Sequence, residues 1–535
     1  MKNADSCSNS HLGGLSKLAQ ADDWSDGVPN GGLEADPANS TPGSRLSQAT
    51  FGMISLGCCF GWSSLALPYL QRNLENNSNA TGEMDYIDEL HSSDNFSYKI
   101  PDSRHNRLVN FSIHSEPDAR VGDLVTMEEG ALISSLLAIG ALFGSLPAGY
   151  LANICGRKTM IQILNVPLFV GWLAIIFADR NVIILYLARF LQGIALGLSS
   201  VFIPLYNEEI SEAPIRGALG TIYNTMVNVG VLFIAIAGSC LPYLWVNITS
   251  ASIVIVSAVA LSWIPESPIY LLMKGQKLSA QNSLSILRGS NFNPNIDIGK
   301  EFDDMEKLVD KIRDQNKYSC LESLKERLHD FRVTSPTAKT FYIVTLLMVC
   351  RQLSGVNGIL FYGVDFFRES GSSISPYVSN IVVSIVEVVS GLGSFLLVDR
   401  LGRRFILIGC GAVFVFVYFT LSLYLYFKKM NYDIESVEWI PLLIIMIDFF
   451  VYDLGIGTIS FLMMAELTRS TESKGWITST ASMVNWLGIF MCTYFFPAMI
   501  HYIGDMGTYI MFGILNIIGT TFIFLFVPET KFRSG

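Results

Sequence analysis

The chain has 535 residues, of which 50% are hydrophobic and only 15% charged, whereas soluble domains carry about a quarter charged residues. That composition argues against a soluble globular protein and for a chain that crosses a membrane many times. The net charge of -10 is gathered in the N-terminal tail, one long early loop and one central polar block, which leaves no case for a nucleic-acid partner.

Residues 1–48 are polar, rich in Ser, Gly, Asn and Asp, and lack the apolar core of a cleavable signal; they read as a disordered cytoplasmic tail. Apolar runs then recur that are long enough to span a hydrocarbon layer, which takes about 20 helical residues. They centre on 51–70, 130–150, 160–178, 182–205, 218–240, 245–264, 338–361, 377–398, 405–426, 439–464, 476–498 and 507–527, twelve in all, the first, seventh and tenth being shorter or interrupted by polar residues. The predicted architecture is all-α and membrane-embedded. A six-helix bundle covers 49–264, with an outer loop at 71–126. Cytoplasmic linker helices cover 265–337, a second six-helix bundle covers 338–527, and a short cytoplasmic tail covers 528–535.

Lys and Arg set the orientation. Arg157 and Lys158 follow span two, Arg400, Arg403 and Arg404 follow span eight, Arg469 and Lys474 follow span ten, and Lys531 and Arg533 close the chain. All fall on one side when both termini are cytoplasmic; Lys428 and Lys429 lie on the other. N-x-S/T sequons agree with this topology: Asn76, Asn79, Asn95 and Asn110 head four in the loop after span one, and Asn247 heads another between spans five and six. The nine cysteines are scattered, none lies in the long outer loop, and Cys58-Cys59 reads as helix packing. The six histidines show no metal spacing, and no nucleophile–base pair is visible. An enzyme, a metal and a cofactor are all unexpected.

The two halves repeat each other. "GYLANICGRKTM" follows span two and "LLVDRLGRRFIL" span eight; "PLYNEEISEAPIRG" follows span four and "MMAELTRSTESKG" span ten; "PESP" follows span six and "PET" span twelve. Duplication of this kind builds many secondary transporters, with the substrate held near the midplane between halves. The motifs Gly156-Arg157-Lys158, Arg189-Phe190, Pro265-Glu266-Ser267-Pro268, Gln352-x-Ser354-Gly355-x-Asn357, Asp399-Arg400-x-Gly402-Arg403-Arg404 and Pro528-Glu529-Thr530 occur in order and correctly spaced. In these the chain resembles the sugar porter family of the major facilitator superfamily. "GWSSLALP" at 61–68 and "PESPIYLLMKG" at 265–275 look most like the insect facilitated trehalose transporters.

The resemblance implies a facilitative carrier for trehalose or a hexose, working by alternating access in the plasma membrane. Its partners would be a small sugar and the bilayer, and it would function as a monomer. Alternatives are an atypical carrier for a non-sugar or charged solute, a proton-coupled symporter and a non-transporting sensor. By resemblance, Gln352, Asn357, Asn224 and Asn485-Trp486 contact sugar, and Phe361 and Tyr362 close over it. Arg157, Glu209, Arg216, Arg400, Arg403 and Glu466 would bridge the two halves as an inner ion-pair latch. Amides suit such a site, because each both donates and accepts. A few hydrogen bonds, each netting about 0.5–1.5 kcal/mol, suffice for millimolar affinity.

Several positions depart from the family pattern. Asn153-Ile154 replaces the usual Asp-Arg and Ile269 an Arg, which predicts a weaker latch in the first half. Arg351 replaces the first Gln of a Gln-Gln pair, Glu387 an amide, and Phe461 a Trp, and "GIGTISF" lacks the family's proline-rich hinge. Asp453 stands where many relatives have an acid. A lone mid-membrane charge costs about 2.5–3.5 kcal/mol on the insertion scale, which motivates the expectation that Arg351 pairs with Glu387. The span-one stretch "FGWSSLALPY" carries no acid, which favours facilitated diffusion over proton coupling.

Overall fold

The computed structural model describes residues 42–71, 125–178, 181–211, 216–290, 298–315, 336–370, 374–432, 437–468 and 474–530. Among them are twelve apolar membrane-length helical spans: Gly52–Leu70, Met127–Ala148, Arg157–Phe177, Val182–Ile210, Ile222–Cys240, Tyr243–Ser262, Thr337–Ser370, Pro376–Ser394, Arg403–Lys429, Ile440–Thr468, Ile477–Ile503 and Asp505–Phe526. Helices are the only open-ended elements that satisfy every backbone polar group within lipid.

Within the first half the closest packing is between spans two and four and between spans one and five; in the second it is between spans nine and twelve. At the first two crossings glycine faces glycine. A Cβ on Gly57 would lie 2.8 Å from the Gly230 Cα, and one on Gly140 would lie 2.9 Å from the Gly193 Cα. Small residues let membrane helices approach where no hydrophobic effect drives them together. Arg189 of span four is fully buried and pins three spans. It donates to Cys59 O at 2.9 Å, Ser63 Oγ at 2.9 Å and Ile133 O at 3.4 Å, and lies 5.0 Å over the Trp62 ring. The halves meet where span two packs on span eleven, span five on span eight, and span one on the second part of span seven.

Spans seven and ten are each built from two helices. Span seven is Pro336–Leu353 followed by Val356–Ser370, and span ten is Ile440–Leu454 followed by Ile456–Thr468. The seventh span therefore runs past the predicted 338–361, because the chain restarts a helix after its break. Gly355 makes that break at φ +87°, a left-handed conformation that costs an L-residue about 1–2 kcal/mol. A Cβ there would also lie 2.9 Å from both the Phe512 ring and the Tyr418 hydroxyl. Gly355→Ala is accordingly expected to lower thermal stability in detergent and to reduce transport; wild-type values for both would refute this account. Span ten breaks at Gly455 (φ -117°, ψ -100°) without any proline.

Three helices, Pro268–Met273, Lys277–Arg288 and Gly299–Gln315, follow span six. They pack on one another through Leu272, Ala280 and Val309. Arg288 fastens them to the bundle: it pairs with Glu301 at 2.6 Å and donates to Ile210 O, at the end of span four, at 2.9 Å. A cation at a helix C-terminus is well placed for the carbonyls exposed there.

Candidate functional site

The break in span seven brings four predicted side chains into one hydrogen-bonded chain. Asn357 Nδ2 donates to Gln352 Oε1 at 2.5 Å, and Gln352 Nε2 donates to Asn485 Oδ1 at 2.6 Å. Arg351 Nη1 donates to the same Asn485 oxygen at 2.7 Å. Gln352 and Asn357 lie on opposite sides of the break, so a continuous helix would not close this contact. Each amide is tied to a neighbour, so a bound hydroxyl either takes the place of one of these partners or meets the capacity these bonds leave over, as at Asn485 Nδ2 and Asn357 Oδ1.

Arg351 does not pair with Glu387, which corrects the sequence expectation. No ion pair joins them among the described residues. Arg351 Nε donates to Gly457 O at 3.3 Å, and its guanidinium lies 5.4 Å over the Tyr452 ring and 5.0 Å over that of Phe461. Two neutral acceptors and two aromatic faces stabilise the cation. The tyrosine and phenylalanine, like the second acceptor, come from broken span ten. Glu387 is buried on span eight, and its Oε2 has no protein partner.

Asp453 faces span five instead. Asn228 Nδ2 donates to Asp453 Oδ2 at 2.7 Å and to the Glu387 backbone oxygen at 3.2 Å, joining the halves through spans five, eight and ten. Asn228 was not singled out from sequence. The available signal was its position one helical turn beyond Asn224, which places both amides on one face of span five. Asn224 itself is half-buried.

The aromatic residues close the other end of the site. Phe361 meets Phe60 of span one edge-on at 6.2 Å, and Phe60 stacks on Trp486 at 6.4 Å. Tyr362 sits at a kink in its helix (φ -124°, ψ 24°) and donates to Thr493 O at 3.0 Å. Just beyond the kink, the Val364 amide donates to Ser64 Oγ of span one at 3.2 Å. A cavity of about 200 Å³ opens past Tyr362, towards the end opposite the linker helices; Asp365, Glu369, Asp505 and Gln71 contribute to its wall. Tyr362 is the one residue it shares with the site residues expected from sequence.

The ion pairs at the Gly-Arg turns correct two expectations. They tie helix ends within each half and do not bridge the halves. Arg157 donates to Glu209 Oε1 through Nε at 3.1 Å and Nη2 at 2.8 Å, and Ser267 Oγ bonds the other carboxylate oxygen. Arg403 reaches Glu466 at 3.2 Å. The first-half pair is the shorter and more buried one, with side chains 4% and 8% exposed against 11% and 22%. Burial under Ser267 and Tyr270 compensates for the missing Asp-Arg. The side chains of Arg216 and Arg400 lie outside the described residues.

The repeat explains a residue pair that sequence reasoning left without a role. Glu266 accepts from the backbone amides of Arg157 and Lys158 at 3.0 and 3.1 Å. Glu529 does the same for Arg403 and Arg404, both at 3.1 Å. The glycines ahead of these helices, Gly156 and Gly402, adopt φ +94° and +91°. Each carboxylate thus caps the N-terminus of a span in its own half, where unpaired amides and the helix dipole favour negative charge.

Asn247 is also corrected. It lies within the Tyr243–Ser262 helix, fully buried, and its Oδ1 accepts from Trp62 Nε1 at 2.9 Å. Its amide is not presented for glycosylation. Asn76, Asn79, Asn95 and Asn110 lie outside the described residues.

Twelve spans in two halves, with broken helices meeting polar side chains between them, define a secondary carrier of the major facilitator fold. Comparison with known proteins agrees. The family described as "Sugar (and other) transporter" matches residues 49–534, and the chain belongs to it. It is a transporter and not an enzyme. It is 30% identical to the facilitated trehalose transporter Tret1 of Apis mellifera ligustica, over 77% of this chain and 79% of that one. It is equally identical to the Tret1-2 homolog of Drosophila simulans, over 77% and 81%. The Tret1 of Drosophila virilis is also 30% identical, but the match covers 44% of that longer protein. The inward-open xylose transporter XylE of E. coli superposes with a TM-score of 0.65 at 16% identity, covering 92% of this chain and 98% of the other. XylE bound to 6-bromo-6-deoxy-D-glucose gives 0.64 at 18% identity, covering 91% and 96%. These likenesses establish the fold.

Proposed function

We propose that this chain carries trehalose or a hexose down its gradient by alternating access. It acts as a monomer in the plasma membrane, with both termini cytoplasmic. The observation that carries the reading is the amide chain of Gln352, Asn357 and Asn485, set at the break of span seven where the two halves face each other. Discontinuous helices near the midplane are where such carriers hold substrate. Sugar hydroxyls replace the mutual amide bonds, Trp486 and Phe60 offer an apolar face, and Phe361 and Tyr362 close the outer side. Asn228, joining Asp453 to span eight, holds the halves together at the other edge of the site and parts from one of them as the carrier turns over.

A span one without an acid favours facilitated diffusion over symport, with Glu387 and Asp448 the carboxyls that would serve a proton-coupled carrier instead. The test is uptake into proteoliposomes of trehalose, glucose, fructose and a polyol, with and without a proton gradient. Saturable uptake with millimolar KM, unchanged by a protonophore, is expected for at least one of the sugars. Absence of saturable uptake for every sugar would overturn the proposal, and uptake driven by the gradient would replace diffusion with symport.

A further inference from the structure

The acids beside the amide chain are not needed to hold a neutral sugar. Glu387 is 5% exposed and Asp453 8%, and both contact Asn228, Asp453 through its side chain and Glu387 through its backbone. One oxygen of Glu387 is buried without any protein partner. Arg351 is the cation at this site, and it forms no ion pair with either acid. It lies instead between acids and amides: one end reaches Asn485, while its face covers Tyr452, the residue before Asp453. Asp448, earlier in span ten, is fully buried and accepts from the Tyr418 hydroxyl at 3.2 Å. Two buried carboxyls beside one guanidinium call for a further proton or cation, because an unpaired buried charge is strongly unfavourable. The cavity past Tyr362 repeats the pattern. Its wall carries Asp365, Glu369 and Asp505, of which Asp365 pairs with Arg368 at 2.9 Å, while Lys428 donates to the Glu369 backbone oxygen.

We propose that the site prefers a hydroxylated solute bearing a protonated amine, such as an amino sugar. Its ammonium sits against Glu387 and Asp453, and its hydroxyls take Gln352, Asn357 and Asn485. An ammonium supplies the donor that Glu387 lacks and the missing positive charge in a single group. A sugar acid or sugar phosphate is disfavoured, because Arg351 alone does not outweigh two carboxylates. This inference rests on the transport reading for the place of the site and specifies its substrate class.

The test compares binding of D-glucosamine, D-glucose and 2-deoxy-D-glucose to the purified protein by ligand-induced thermal stabilisation, in mildly acidic buffer where the amine is protonated. Uptake of the same three sugars is measured in proteoliposomes. Glucosamine is expected to bind at least about tenfold more tightly than either neutral sugar, as befits a buried charge pair. That ratio is expected to fall towards one in Glu387→Gln and Asp453→Asn and to rise in Arg351→Gln. Equal binding of the three sugars, or an amine preference unchanged in Glu387→Gln, overturns the inference, even where neutral-sugar uptake upholds transport. Absence of uptake for all three overturns the transport reading, and the binding ratio still decides the amine preference.

Discussion

Arg157→Ala is expected to destabilise the first bundle by about 3–5 kcal/mol, the range for removing one partner of a buried ion pair. The loss is large because the pair is dry. Glu209 would keep its bond from Ser267 but lose both guanidinium contacts, and Ala152 O would lose its donor at 3.0 Å. Removing both charges together, as in Arg157→Leu with Glu209→Leu, should recover part of the stability, since no uncompensated charge remains. Arg403→Ala is expected to cost less, because Glu466 is 22% exposed and water screens the charge left behind. Thermal unfolding of the purified variants orders them directly. If Arg157→Ala matched the wild type, or were milder than Arg403→Ala, the first-half pair would not have the structural weight assigned to it.

Arg351→Gln should strengthen binding of a neutral sugar. Arg351 and Gln352 both donate to one oxygen of Asn485, so a hydroxyl competes with two donors for that acceptor. Glutamine restores the family's pair of amides and frees one position, worth about 0.5–1.5 kcal/mol, or roughly two- to tenfold in apparent KM. The guanidinium also leaves the faces of Tyr452 and Phe461 on span ten. Arg351→Ala should not give the same gain, because it removes the stacking without supplying an amide. A KM for glucose or trehalose that stays the same or rises in Arg351→Gln would mean that the arginine helps bind the sugar.

Much of the fold was legible from periodicity and length. A predominantly apolar segment of about 20 residues is stable across lipid as a helix, so apolar length placed all twelve spans even where Arg189, Arg351, Glu387 or Asp453 interrupts one. The duplication was legible as well, because paired motifs such as "GRK" and "GRR" recur in the same order. The break in span seven was readable at Ser354-Gly355, since glycine there answers a local backbone demand. The break in span ten was harder to read, because the proline signal is absent and Gly455 carries it alone.

The partners of the charged side chains were not legible. Arg351 and Glu387 form a reasonable pair by charge, yet Arg351 takes Asn485, Gly457 and two aromatic rings, and Asp453 takes Asn228. Which acceptors lie within reach depends on how the broken halves of spans seven and ten are offset, a property of three-dimensional packing that pairwise charge does not encode. The same holds for Asn247, whose sequon is a local pattern but whose burial against Trp62 depends on how span six meets span one. It holds too for the turns, where Arg157 and Arg403 each pair with an acid of their own half, and Glu266 and Glu529 fix their helix ends from the end of the same bundle. The sequence determined the number, order and repetition of the spans and the chemical types at the site, since lipid solvation and backbone geometry act on the chain locally. Only the tertiary structure decided which groups touch, and it left a buried oxygen of Glu387 without a protein partner.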